Sequence, residues 1–332
     1  MPYTLLQGGR RRRRRRRGAA AAVLLAVVVL PLVLSERVED SSKPRERTPA
    51  APPAALLDTG TAPLAGGGTA PSPLAVRLDG PRDRVHVHFK HPPRSGLLFD
   101  VDTGRVLWRA HPARVLPIAS LTKMMTALVV VDRLGPRAKV PITWQALRYT
   151  GSGVGLLPRG KRIPVDTMLH GLLLPSGNDA AIALAIRVAG TQPRFIALMN
   201  RRAQEMGLVC SRFSSVSGIK DAGNSSCAPD LAAIARAVLR QPRLARIVSR
   251  RSAVLPFPIK GHKLYLYNNN PLLRMGYRGT TGVKTGYTDA AGRCLVATAR
   301  RGLIRLGVVL LDSHDPGGQA TRLLNRGFAR PH

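Results

Sequence analysis

Acidic residues are scarce in this chain: 18 Asp and Glu stand against 52 Lys and Arg in 332 residues, a formal charge of +34. Such a balance raises nucleic-acid binding as a hypothesis. Aromatics are scarce too, at 4%. The arginines are scattered, and no aromatic-rich basic stripe accompanies them, which argues against a nucleic-acid partner. The same charge suits an anionic cell envelope. With so few aromatics, alanine, leucine and valine must build the core. Cysteine is limited to three residues, and none stands near the histidine run Val85-His86-Val87-His88-Phe89-Lys90-His91. That leaves a metal site there without its usual partners. The run reads as an alternating edge strand at a domain boundary.

What is present begins with an export signal. Arg10 to Arg17 form an unbroken run of eight arginines, ahead of the uncharged stretch Gly18–Leu34. Positive charge before an apolar run keeps the N-terminus cytoplasmic and exports the chain beyond the run. The run is short for a membrane span and slightly long for a signal peptide, and no A-x-A site comes after it. Residues 1–35 therefore read as a basic stub with either a cleaved signal or a membrane anchor over 18–34. Both place the rest outside the cytoplasm, membrane-anchored or secreted to the cell wall. Residues 36–85, rich in Pro, Ala and Gly, read as a disordered linker. Residues 86–330 read as one folded domain, with no apolar anchor after it.

The stretch around which that domain is organised is Ile118-Ala119-Ser120-Leu121-Thr122-Lys123. It heads an apolar segment, Met124–Val131, that has no glycine or proline and reads as a buried helix. Positions i and i+3 share a helix face, so the Lys123 amine can approach the Ser120 hydroxyl. A serine is a poor nucleophile until a base takes its proton. A lysine serves as that base once burial or a second cation lowers its pKa. Alone, the tetrapeptide is a weak signal and reads first as an N-cap serine with a solvated lysine.

Two further stretches bear on it. Pro175-Ser176-Gly177-Asn178-Asp179 precedes an alanine-rich helix and reads as a turn and helix start. In a cleft, Ser176 could shuttle a proton and Asn178 could hold an amide of a ligand. Thr280–Thr288 reads as a Thr/Gly-rich edge strand that a ligand backbone can approach. Within it, Lys284 and Thr285 offer a cation and a hydroxyl to a carboxylate. Gly96–Arg109 reads as a hairpin, Leu295–Ala299 and Leu303–Leu311 as paired strands, and Gln319–Phe328 as a closing helix. In an exported chain, Cys210 and Cys227 around one loop predict a disulfide, with about 3 kcal/mol from loop closure. Cys294 reads as a buried filler.

The three stretches occur in the order S-x-x-K, S-x-N, K-T-G, a set shared by class A β-lactamases and penicillin-binding proteins. Pro117–Lys123, Gly171–Ala181 and Gly282–Gly292 closely resemble the low-molecular-mass D-alanyl-D-alanine carboxypeptidases, and the likeness runs from about Gly96 to Phe328. The resemblance implies an α+β fold, β-lactamase/transpeptidase-like, with an antiparallel sheet, flanking helices and a mostly helical lobe. It implies Ser120 as acylated nucleophile, Lys123 as base and Ser176 as proton-transfer partner. Asn178 would bind the substrate amide, and Lys284 and Thr285 the terminal carboxylate. The backbone N–H groups of Ser120 and Tyr287 would form the oxyanion hole. No metal or other cofactor is implied. The partners implied are a peptidoglycan stem peptide ending in D-Ala-D-Ala and β-lactam inhibitors.

Rivals on the same residues are a β-lactamase and a non-catalytic envelope-binding protein. The first needs a deacylating glutamate, and Tyr149–Lys161, the cleft-loop candidate, contains none. The second is disfavoured by intact motifs. The chain departs from the family pattern in lacking a second β-rich domain and C-terminal amphipathic helix. Asn268-Asn269-Asn270 also stands where relatives often carry an arginine.

Overall fold

The structure, a computed structural model, describes residues 72–78 and 83–330, all within the unit that begins at Gly66. The readings of residues 1–35 and of most of the linker lie outside the described residues. A hairpin opens the fold, β1 (Ser95–Asp100) and β2 (Val106–Ala110). The short β3 (Leu116–Pro117) and a 3-10 turn over Ala119–Thr122 lead into α1 (Lys123–Arg133). Next come β4 (Lys139–Pro141), α2 (Trp144–Leu147) and β5 (Arg162–Pro164), then α3 (Val165–Leu173), α4 (Asn178–Ala189) and α5 (Gln192–Glu205). After β6 (Ser225–Ser226) come α6 (Ala228–Arg240), α7 (Pro242–Val248), β7 (Ser252–Pro256), β8 (Lys263–Tyr267) and α8 (Pro271–Arg274). The chain closes with β9 (Thr280–Thr288), β10 (Gly292–Arg301), β11 (Ile304–Leu311) and α9 (Pro316–Phe328).

The main sheet is antiparallel, in the order β2-β1-β11-β10-β9. Its strands are apolar on both faces, because helices cover both. Alternation along a strand divides the side chains. Leu295 and Ala297 of β10 and Leu306, Val308 and Leu310 of β11 pack with Ala320, Leu323 and Leu324 of α9. Val296, Val309 and Leu311 join the larger core on the opposite face. The helical lobe belongs to that larger core. At its centre α1 is buried from Lys123 through Val130, and it ends before Gly135-Pro136, where a helix cannot continue.

Two expectations change. Val85–His91 forms no strand and bends at Lys90 and His91. The edge groups of β2 are already bonded: Asp83 accepts from the Arg109 backbone N–H at 2.9 Å, and Leu107 O accepts from Val85 N–H at 2.9 Å. Residues 72–78, read as linker, are bonded to the domain. The buried Arg236 guanidinium donates to Leu74 O, Ala75 O, Val101 O and Asp102 O at 2.6–2.9 Å. A buried cation satisfied by four carbonyls ties this segment to the hairpin turn. Among the described residues, no single helix is long and apolar enough to cross a membrane.

Candidate active site

Ser120 is not within α1. It sits in the 3-10 turn before it, after Ala119 at φ +45°. This conformation is unfavourable for a residue with a side chain. The surrounding structure holds it. Thr122 Oγ1 donates to Ala119 O at 2.7 Å, and Asn224 Nδ2 donates to Thr122 Oγ1 at 2.7 Å. Gly218, at φ +78°, lies so close to the Ala119 carbonyl that a Cβ there would collide with it.

Lys123 opens α1 and is fully buried. Its Nζ is 2.7 Å from Ser120 Oγ and 2.7 Å from Ser217 O. Burial is the main force pushing its pKa well below the ordinary lysine value. The charge of Lys284 adds to that, and Asp179 opposes it. Lys284 is also buried, with its pKa lowered to about 7 by burial. It stands opposite Val296 in the β9–β10 register, on the sheet face that meets the helical lobe, and its Nζ donates to Thr285 O at 2.9 Å. The Thr285 hydroxyl makes no hydrogen bond among the described residues. Gly286 presses β9 against the turn: a Cβ there would lie 3.1 Å from Ser120 N. The edge strand therefore passes beside the Ser120 backbone amide, with Tyr287 one residue on.

Ser176 has φ +70° and a buried Oγ without a hydrogen-bond partner among the described residues. Strain and an unsatisfied polar atom together mark it as a residue held for use rather than for stability. Asn178 begins α4, donates from Nδ2 to Thr150 O at 2.6 Å, and has a buried Oδ1 that is unpaired among the described residues. The asparagines that replace the expected arginine bracket this turn: Asn269 donates from N to Leu174 O at 3.1 Å and from Nδ2 to Pro175 O at 3.2 Å.

A cleft of about 540 Å³ is lined by Ser120, Ser152, Asn178, Gly218, Tyr287 and neighbouring residues. It brings together Ser120, Asn178 and Tyr287, while Lys123 and Lys284 are buried. Sequence reasoning missed the supports. Asp179 is fully buried and accepts from Val154 N at 2.9 Å, Gly155 N at 3.0 Å and Ala180 N at 2.7 Å, fixing the cleft loop. The loop from Ser211 to Ser226, closed by a Cys210–Cys227 disulfide, supplies Ser217 O, Gly218 and Asn224. Asp179 stands next to Asn178 in the sequence and could have been weighed; the loop carries no motif of its own.

A serine hydroxyl in contact with a buried amine of lowered pKa, and an edge strand beside a backbone amide, define the class: a serine enzyme of the DD-peptidase and DD-transpeptidase fold. A family model described as D-alanyl-D-alanine carboxypeptidase matches residues 84–315, and the chain belongs to that family. It is 33% identical over 269 residues to the D-alanyl-D-alanine carboxypeptidase DacF of Bacillus subtilis, covering 79% of this chain and 67% of the relative. It is 34% identical over 246 residues to DacB2 of Mycobacterium tuberculosis, covering 72% and 83%. Two enterobacterial relatives are matched over only 61% and 62% of their length. Among solved structures, a Streptomyces DD-transpeptidase superposes with a TM-score of 0.69 at 31% identity, covering 74% of this chain and 100% of that one. A D-alanyl-D-alanine carboxypeptidase from Mycobacterium tuberculosis gives 0.69 at 31%, covering 74% and 95%.

Proposed function

We propose that the chain removes the terminal D-alanine from peptides ending in D-Ala-D-Ala, through an acyl-enzyme on Ser120, and that β-lactams acylate the same oxygen. The observation that carries this reading is the Lys123 amine, fully buried and 2.7 Å from Ser120 Oγ. A protonated lysine cannot accept a proton. Burial together with the Lys284 charge favours the neutral amine, which can.

In the first half-reaction the Ser120 hydroxyl proton passes to Lys123 Nζ as Oγ attacks the penultimate D-alanine carbonyl. The backbone N–H groups of Ser120 and Tyr287 receive the oxyanion. Lys284 and the Thr285 hydroxyl hold the terminal carboxylate. As the C–N bond breaks, Lys123 passes the proton it took from Ser120 to the departing nitrogen by way of Ser176. Asn178 holds the amide of the acyl portion. Water then hydrolyses the ester: Lys123 accepts its proton as the water oxygen attacks, and returns it to Ser120 Oγ as the ester C–O bond breaks. A β-lactam enters the same way, but its leaving nitrogen stays tethered.

Export and retention at the membrane through residues 18–34 or release to the cell wall complete the proposal; the eight arginines before that stretch support it. D-alanine release from a synthetic D-Ala-D-Ala peptide tests the activity. Wild type releasing D-alanine and Ser120→Ala releasing none is the expected result; equal release by both sinks the assignment.

A further inference from the structure

Arg300 of β10 and Arg305 of β11 are direct register partners, so two guanidinium side chains stand opposite each other on one face of the sheet. Like charges placed this way cost stability. A third arginine, Arg246 of α7, joins them around a cavity of about 280 Å³, whose apolar lining is Val101, Leu239 and Ala245. Asp102 pairs with Arg305, and the nearby Asp100 carboxylate is taken by the backbone N–H groups of Asp102 and Thr103. Arg246 and Arg300 form no salt bridge among the described residues; their Nε groups donate to Pro242 O at 3.3 Å and Gly302 O at 2.8 Å. Three guanidinium groups thus share one carboxylate, an excess suited to phosphate.

The turn between the two strands adds an apolar tip. It reads Arg300-Arg301-Gly302-Leu303-Ile304-Arg305, and Leu303 is 90% exposed. An exposed leucine adds nothing to the core, but an apolar residue flanked by arginines matches the boundary between lipid headgroups and acyl chains. The chain that carries the uncharged stretch 18–34 joins the domain at this same end of the sheet. Arg77 bridges to Arg105, and its N–H donates to Gly104 O at 2.8 Å, in the β1–β2 turn that also holds Asp102. The reactive serine is at the other end. Tyr287, on the rim of the Ser120 cleft, pairs with Arg293, and Arg300 lies seven residues further along β10, roughly 23 Å at the rise of a strand.

We propose that this end of the sheet docks on an anionic phospholipid bilayer, with Leu303 entering the headgroup layer and Arg246, Arg300 and Arg305 holding lipid phosphates. A soluble polyanion would engage the arginines but would have no use for Leu303. Docked in this way, the molecule presents the Ser120 cleft on the side away from the bilayer. Docking goes beyond the proposed carboxypeptidase activity and sets where that activity is aimed.

The test places an environment-sensitive dye on the full chain through Leu303→Cys, or through Ala290→Cys in the β9–β10 turn at the opposite end. Each protein is mixed with vesicles that carry a spin-labelled phospholipid as quencher, made either of phosphatidylcholine alone or of equal parts phosphatidylcholine and phosphatidylglycerol. Any insertion of residues 18–34 is common to both dye positions, so the comparison reads orientation. At position 303, quenching should be about fivefold stronger on the anionic vesicles and should weaken as salt is raised. At position 290 the dye should stay unquenched. Adding Arg246→Glu and Arg300→Glu to the Leu303→Cys protein should abolish the preference for anionic lipid. Equal quenching at the two positions overturns the inference, as does equal quenching of position 303 by both vesicles or a preference that survives the charge reversals. Soluble polyphosphate shifting the dye at 303 where vesicles do not quench it would give the arginines to a soluble polyanion and also overturn it. None of these outcomes touches the carboxypeptidase reading, which D-alanine release tests separately.

Discussion

Lys123 Nζ and the carbonyl of Ser217, 94 residues apart, are joined by a 2.7 Å hydrogen bond. This bond makes the disulfide-closed loop part of the site. It anchors the amine while leaving its contact with Ser120 intact, so one group is aimed by a distant one. Replacing Lys123 with Ala should lower the acylation rate by about a thousandfold or more with the fold intact, because the hydroxyl then has no base. Stopped-flow acylation by a β-lactam, with circular dichroism as the folding control, reads this. Acylation at the wild-type rate would remove Lys123 from the mechanism.

Lys284 supplies the second cation. Like charges disfavour the protonated form, so its removal relieves Lys123 and lets that pKa rise. In Lys284→Gln, the limb of the pH–kcat/KM profile set by deprotonation of the base should move to higher pH. An unmoved limb would mean that burial alone sets the base.

The same lysine bears on stability. Its folded-state pKa is lowered to about 7 from 10.5. Between those values the unfolded chain binds the extra proton, so this group makes stability rise with pH across that window. Below about pH 7 the full cost of burying the charge is present. Lys284→Met should therefore melt about 5 °C higher than wild type at pH 7, and the gain should fade towards about pH 10. Calorimetry at the two pH values checks both sign and window.

The loop offers two handles. Reducing Cys210–Cys227, or replacing both with Ser, should cost about 3 kcal/mol and depress activity at temperatures where the fold persists. Cys294 is buried, with its thiol pushed up to about 12. A thiol reagent without reductant should find no reactive cysteine in the native protein at mildly alkaline pH and one after denaturation. Finding three would refute the disulfide.

Gly218→Ala places a methyl group against the Ala119 carbonyl at a positive φ. The change should cost about 2 kcal/mol or more and displace the Ser120 turn. Denaturant melts and acylation rates should fall together; a silent substitution would show that Gly218 does not fix the turn.

Much of this site was legible because its chemistry lies in short motifs and its helices in apolar runs. Ser120-Leu121-Thr122-Lys123 and the Ala180–Ala189 helix stand close to where spacing put them. The turn conformation was less legible. The placement of Ser120 before α1 results from Gly218 and Gly286 packing against Ala119 and Ser120 and from Asn224 bonded to Thr122, all from distant parts of the chain, which local periodicity does not record. Asp179 resembles any N-terminal helix acid until its backbone partners at Val154 and Gly155 are known. Val85–His91 reads as a strand because it alternates; in the structure Val85 N–H alone bonds to β2, at Leu107 O, and the Arg109 N–H is taken by the Asp83 carboxylate, so no ladder forms. Residues 72–78 look like linker by composition, and only the buried Arg236 shows that they belong to the domain.

The most direct measurement is time-resolved labelling with a fluorescent penicillin, combined with peptide mapping of the adduct. The account predicts a persistent covalent adduct on the peptide containing Ser120, absent in Ser120→Ala. An adduct on another residue, or none in folded wild-type protein, would contradict it.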